Sequence, residues 1–177
     1  EPVLEVTAPV AIAQVVETVL LNQVTLHTTL ASKAARYIMA AEGRQLVDFA
    51  FRRTHGIEAA MAIARASALV GFESTSNVEA ARRYGLAVAG TMAHSFIQAH
   101  ADEATAFRKF VEFFPQTTLL VDTYDTLRGV QRVVELQKQL GEKFQVQAIR
   151  LDSGDIAELA RQSRKLLDDA GLKRVRI

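Results

Sequence analysis

Between Pro9 and Ala41 the apolar residues Ile12, Val15, Val16, Val19, Leu20, Leu26, Leu30, Ala34 and Ile38 recur at helical spacing, uninterrupted by Gly or Pro. This predicts one long, mostly buried helix or a helix pair, ended by Gly43. From Leu46 onward short apolar runs alternate with helical periods. Residues 46–51, 69–72 and 86–90 read as strands. They are followed by a small-residue helix through Ala59, Ala60, Ile63, Ala64, Ser67 and Ala68, a helix over 78–84 behind a Ser76-Asn77 cap, and a helix over 94–99.

The second half repeats the alternation. Asp102-Glu103 opens a helix that Pro115 terminates, residues 117–121 form a continuously apolar strand, and Asp125 opens a helix closed by Gly141. Residues 144–151 form the next strand, Asp155 and Glu158 make a capping-box-like pair ahead of the last helix, and Gly171 takes its C′ position. Residues 173–177 read like the opening of a further strand. Strand–helix alternation implies a parallel sheet with right-handed crossovers, doubly wound or closed into a barrel. In either case the chemistry gathers at the C-terminal ends of the strands. Residues 1–44 read as a helical segment leading in, and residues 45–177 as strand–helix repeats of one structural domain. The absence of an initial Met and the final interrupted strand suggest an excerpt of a longer protein.

Composition narrows the chemistry. The 177 residues hold no cysteine, which removes disulfides, Cys-zinc sites, iron–sulfur clusters and thiol nucleophiles. A net charge of +1 gives nucleic acid or an anionic membrane no bulk attraction, so any anion site is local. No apolar run approaches the roughly 20 residues of a membrane helix, and no signal peptide is visible.

Polar residues collect where the strands end. Asp122 and Asp125 follow one strand, Arg150, Asp152 and Asp155 another. Asp125 and Asp155 are accounted for as N-caps, whereas Asp122 and Asp152 have no cap to make and are expected to face a ligand, a sugar hydroxyl or a hydrated Mg2+. Arg52 and Arg53 at a helix start suit a carboxylate or phosphate, or a salt bridge from Arg52 to Asp48. Among four histidines no pair has metal-ligand spacing. His94, at a strand end and a helix start, is a general acid/base, a nucleophile or a structural histidine, and the start of a helix would favour a bound phosphate.

Four strings, Asp48-Phe49-Ala50-Phe51-Arg52-Arg53-Thr54-His55-Gly56, Gly71-Phe72-Glu73-Ser74-Thr75-Ser76-Asn77, Gly90-Thr91-Met92-Ala93-His94-Ser95-Phe96 and Arg150-Leu151-Asp152-Ser153-Gly154-Asp155, resemble nicotinate phosphoribosyltransferase in that order and spacing. The resemblance implies an irregular parallel α/β barrel of the type II phosphoribosyltransferase class, incomplete here, acting as a cytoplasmic homodimer with shared active sites. It also implies transfer of phosphoribosyl from 5-phosphoribosyl-1-diphosphate to nicotinate, with Mg2+ and with ATP as co-substrate, hydrolysed through a phosphohistidine. Carried onto this sequence, His94 resembles the phosphorylated histidine. Arg52, Arg53 and Ser76 resemble pyridine-site residues, and Thr91, Arg150, Asp152, Ser153 and Gly154 the phosphoribosyl contacts, with Asp122 nearby as a catalytic carboxylate or metal ligand. Ala50 replaces an expected Gly, and the family's N-terminal segment and later glycine-rich phosphate loops are missing, so this piece alone is expected to be inactive. The nicotinamide-using relatives carry Asp where Ser76 aligns, which favours nicotinate. The motifs of quinolinate phosphoribosyltransferase are not seen, and a non-catalytic phosphosugar-binding piece is the alternative of another class.

Overall fold

The computed structural model describes residues 2–177. They divide after Gly90 into two compact units. The first contains α1 (Val10–Ala41), β1 (Val47–Asp48), a 3-10 turn (Phe51–Arg53), α2 (Ile57–Leu69), β2 (Ser74–Thr75), α3 (Val78–Tyr84) and β3 (Ala87–Val88). Its strands form a parallel sheet in the order β1-β2-β3, with Asp48 opposite Thr75 and Thr75 opposite Val88. The alanine-rich α2 buries Ala60, Ala62, Ala64, Ala66 and Ser67 and packs against α1 and α3. Small side chains allow that close approach.

α1 is one continuous helix of 32 residues, as its periodicity predicts, but it is not mostly buried. Only Ala34 is fully buried, while Val10, Val15, Val19 and Met39 stand more than 60% exposed. An apolar stripe shows that a helix face is suited to cover; it does not supply the cover. By length and average composition alone α1 could cross a membrane, a property that core helices of soluble proteins share. Polar Gln14, Glu17, Asn22 and Gln23 punctuate the helix, so no uninterrupted apolar run reaches roughly 20 residues.

Residues 69–72 are not a strand. α2 runs through Leu69, which is 75% exposed, Val70 caps it, and Gly71 turns the chain at φ 113°. The strand begins later, at Ser74. Nor is the cap before α3 shared: Asn77 alone accepts the Ala80 N–H. β1 stops at Asp48 because its Oδ1 accepts the Ala50 N–H at 2.9 Å and turns the chain into Phe51–Arg53. Ala50 itself sits at φ −79°, ψ −15°, so the expected glycine is not required here.

The second unit contains α4 (His94–Gln98), α5 (Glu103–Phe113), β4 (Thr118–Leu120), α6 (Thr126–Leu140), a 3-10 turn (Gly141–Lys143), β5 (Ala148–Arg150) and α7 (Ile156–Asp169). β4 and β5 pair in parallel, Leu120 opposite Arg150, and Arg176 adds a parallel bridge to Ala148. The expected last strand is thus present as a single bridge. Ile97, Phe107, Leu119, Leu120, Val121, Val130, Val133, Ile149 and Leu167 form one core, all less than 2% exposed. The caps read from the sequence are made: Asp102, Asp125 and Asp155 accept from the N–H groups of Thr105, Arg128 and Glu158. Glu158 does not close the box, because its carboxylate bonds Arg161 and Gln162. Gly171 sits at φ 78°, with its own N–H on the Asp168 carbonyl and the Leu172 N–H on that of Leu167. Gly129 lets α6 lie flush on the end of β4; a Cβ there would stand 2.1 Å from the Val121 carbonyl oxygen.

Candidate active site

Val121 is the last core residue after β4, and the next residue turns its carboxylate into a polar shelf. Asp122 is 8% exposed. Its Oδ2 accepts the Asp152 N–H at 2.8 Å and the Ser153 hydroxyl at 2.6 Å, and its Oδ1 lies 3.2 Å from His94 Nε2. Burial is the largest influence and pushes this carboxyl up, but the bonds from Ser153, Asp152 and His94 together outweigh it and hold it below the ordinary aspartate value. An ionised Asp122 can only accept, so His94 donates Nε2–H to it and Nδ1 keeps the lone pair. The His94 side chain is 39% exposed, open to a reactant on its far side.

Arg150 ends β5 and bridges the shelf. Its guanidinium donates to Thr91 Oγ1 at 2.6 Å and to Asp152 Oδ1 at 2.5 Å. Asp152, Ser153 and Gly154 are exposed, and Gly154 takes φ 78°, a turn that favours glycine. His94, Thr91, Asp122, Arg150, Asp152 and Ser153 therefore make one connected network. Asp122, Asp152 and Ser153 lie in the loops after β4 and β5, Arg150 ends β5, and Thr91 and His94 follow β3 in the chain, in keeping with the placement rule for strand ends. α4 has five residues, so its start contributes little field, and the cation of the network that suits a phosphate is Arg150.

Asp122 accepts one hydrogen bond on Oδ1 and two on Oδ2, which leaves one of its roughly four acceptor sites open. No group of three metal-ligating side chains occurs among the described residues, so Asp122 could supply a single ligand to a hydrated magnesium ion and builds no closed metal site.

The remaining candidates lie in the first unit. Asp48 is buried and bonds the Ala50 N–H and the Thr75 hydroxyl, and Thr75 in turn accepts the Asn77 N–H. This chain is structural. It leaves no Arg52–Asp48 salt bridge, and Arg52 and Arg53 stand exposed in the 3-10 turn. Ser76 is half-buried just after β2, its N–H on the Asp48 carbonyl. Absent from the sequence candidates is a buried ion pair between Glu103 and Arg132 in the second unit. Its only signal in the sequence is an acidic residue in the first turn of a helix, which usually marks a solvated carboxylate.

The nicotinate phosphoribosyltransferase (NAPRTase) family model matches residues 44–172. The chain is 55% identical, over its whole length, to nicotinate phosphoribosyltransferase pncB2 of Mycobacterium tuberculosis, of which it covers 38%. It is 45% identical over 97% of its length to nicotinate phosphoribosyltransferase of Bacillus subtilis, covering 35%. It thus spans less than two-fifths of the length of these relatives. The crystal structure of human nicotinic acid phosphoribosyltransferase superposes with a TM-score of 0.81 at 28% identity, over 93% of this chain and 43% of that one. Nicotinate-nucleotide pyrophosphorylase from Pyrococcus furiosus superposes with a TM-score of 0.73 at 27% identity, over 85% and 39%. A family match running from just before β1 to just past α7 takes in every residue of the shelf, and the chain belongs to the nicotinate phosphoribosyltransferase family.

Proposed function

We propose that a full-length protein carrying this chain joins nicotinate to 5-phosphoribosyl-1-diphosphate, giving nicotinate mononucleotide and diphosphate, and couples this to ATP hydrolysis through His94. The observation that carries the reading is the pairing of His94 Nε2 with a buried Asp122 that also accepts from Asp152 and Ser153. The pairing leaves Nδ1 as the nucleophile. Nδ1 attacks the γ-phosphorus, a P–N bond forms as the bond to the ADP oxygen breaks, and Asp122 stabilises the positive charge left on the ring. Water later takes the phosphoryl group. Asp152 and Arg150 serve the phosphoribosyl group, where loss of diphosphate leaves a cationic ribose that favours a nearby carboxylate. Thr91 orients Arg150, and Ser153 and Gly154 shape the turn. Arg52 and Arg53 take the nicotinate carboxylate, beside a neutral Ser76. The parallel strands belong, in this reading, to an irregular α/β barrel completed in the longer protein, which works in the cytoplasm as a homodimer with shared sites. Magnesium accompanies the substrate phosphates.

Incubation with γ-labelled ATP tests the reading. The wild type is expected to take up an acid-labile, base-stable label and His94→Asn none, while slow ATP-independent transfer to nicotinate survives in the variant. Equal labelling of the two proteins would place the phosphate elsewhere and return His94 to a structural role.

A further inference from the structure

Glu103 is the first residue of α5, where a carboxylate ordinarily stays in water, yet it is 1% exposed. Its Oε2 is bonded to Nη1 of Arg132 in α6, and its Oε1 has no partner among the described residues. Burial pushes this carboxyl up, and the like charges of Asp122 and Asp125 add to the rise against the opposing pull of Arg132. The charged neighbours are therefore Arg132, Asp122 and Asp125. Asp102 and Arg128 line the same small cleft between the starts of α5 and α6, with Tyr124. The Arg132 side chain stays 29% exposed, and the cost of desolvating Glu103 offsets the attraction, so the pair is weak evidence for stability and leaves room for a positional role.

Its place in the chain supplies one. α4, which begins with His94, packs on α5, and α5 packs on α6, the helix that Asp122 precedes. The geometry points to Glu103 and Arg132 as positioning residues: their ion pair ties the start of α5 to α6 and so holds His94 in register against Asp122. Without the tie, α5 and α6 would be held by apolar packing, which tolerates sliding, and the His94–Asp122 bond would have to keep the register by itself at that end of the segment. The inference rests on the proposed role of His94, but not its physical test.

The ring 15N signals of His94 in the chain report the bond to Asp122 without any ATP, and Asp122→Asn provides the signal of the broken bond. Arg132→Met is expected to move the His94 signals toward those of Asp122→Asn, and Arg132→Lys to restore most of the wild-type position. In a full-length protein, Arg132→Met should slow His94 labelling about tenfold while KM for ATP stays within about twofold, and this loss should vanish in the Asp122→Asn background. A folded Arg132→Met with wild-type His94 signals, or an equal loss in both backgrounds, would overturn the inference. If Arg132→Met does not fold, Glu103→Gln, which keeps a hydrogen bond to Arg132, carries the same comparison with a smaller shift. Absence of label in the wild type would overturn the phosphohistidine reading, and the 15N comparison would still decide the positioning role.

Discussion

Asp122 gathers three donors onto one buried carboxylate. It stands out because it follows a strand and has no helix to cap, and the structure puts it at the centre of the shelf. Three of its roughly four acceptor sites are taken by protein donors, which distinguishes it from a carboxylate open to ligand on every side. That distinction depends on the backbone of Asp152 and the hydroxyl of Ser153, thirty residues away, and no local pattern contains it. Glu103 was hidden for the same reason, since burial is a property of packing and not of sequence position. These two carboxyls predict opposite pH behaviour. The Asp122 carboxyl is lowered, so its stabilising contribution is complete above about pH 4 and is lost as the pH falls through the lowered value. The Glu103 carboxyl is raised, so protonation favours the fold, and stability declines as the pH climbs from about 4.3 through the raised value. Urea titrations between about pH 3 and pH 7 should find the acid-side loss removed in Asp122→Asn and the opposite slope removed in Glu103→Gln. Unchanged slopes would mean that neither group titrates as described. In the first unit, Ser76→Asp in a full-length protein should narrow or invert a preference for nicotinate over nicotinamide, because a carboxylate repels the one and accepts from the other. An unchanged ratio of kcat/KM values would put Ser76 outside the base pocket.

Among the elements, helices were legible and strand limits were not. Asp102, Asp125 and Gly171 are local signals, readable within a few residues, and each does in the structure what its position announces. The two- and three-residue ladders of β1, β3, β4 and β5 are shorter than the apolar runs that predict them, because a ladder ends where its partner turns away. Residues 69–72 illustrate the ambiguity of a four-residue apolar run, which here is a helix end and a glycine turn. The contact of α6 with β4 yields a sharper expectation. Since a Cβ on Gly129 meets backbone at 2.1 Å, Gly129→Ala must shift α6 or the end of β4, and a loss of about 1–3 kcal/mol is expected from overpacking. Chemical denaturation measures this directly, and a variant within about 0.5 kcal/mol of wild type would show that the helix yields without strain.

For the whole molecule, the alternation of strand and helix was readable, and so was the parallel pairing it requires. What the periodicity could not convey was the division after Gly90. The entire network from Thr91 to Ser153 has its own core and its own pair of strands, whereas Arg52, Arg53 and Ser76 belong to the unit before it. That division has a consequence for how such a protein can change. Under the proposed roles, base choice and phosphoryl handling would be written in separate stretches of the gene, so mutation or recombination upstream of residue 91 could retune which ring is accepted while the pairing of His94 with Asp122 is inherited intact.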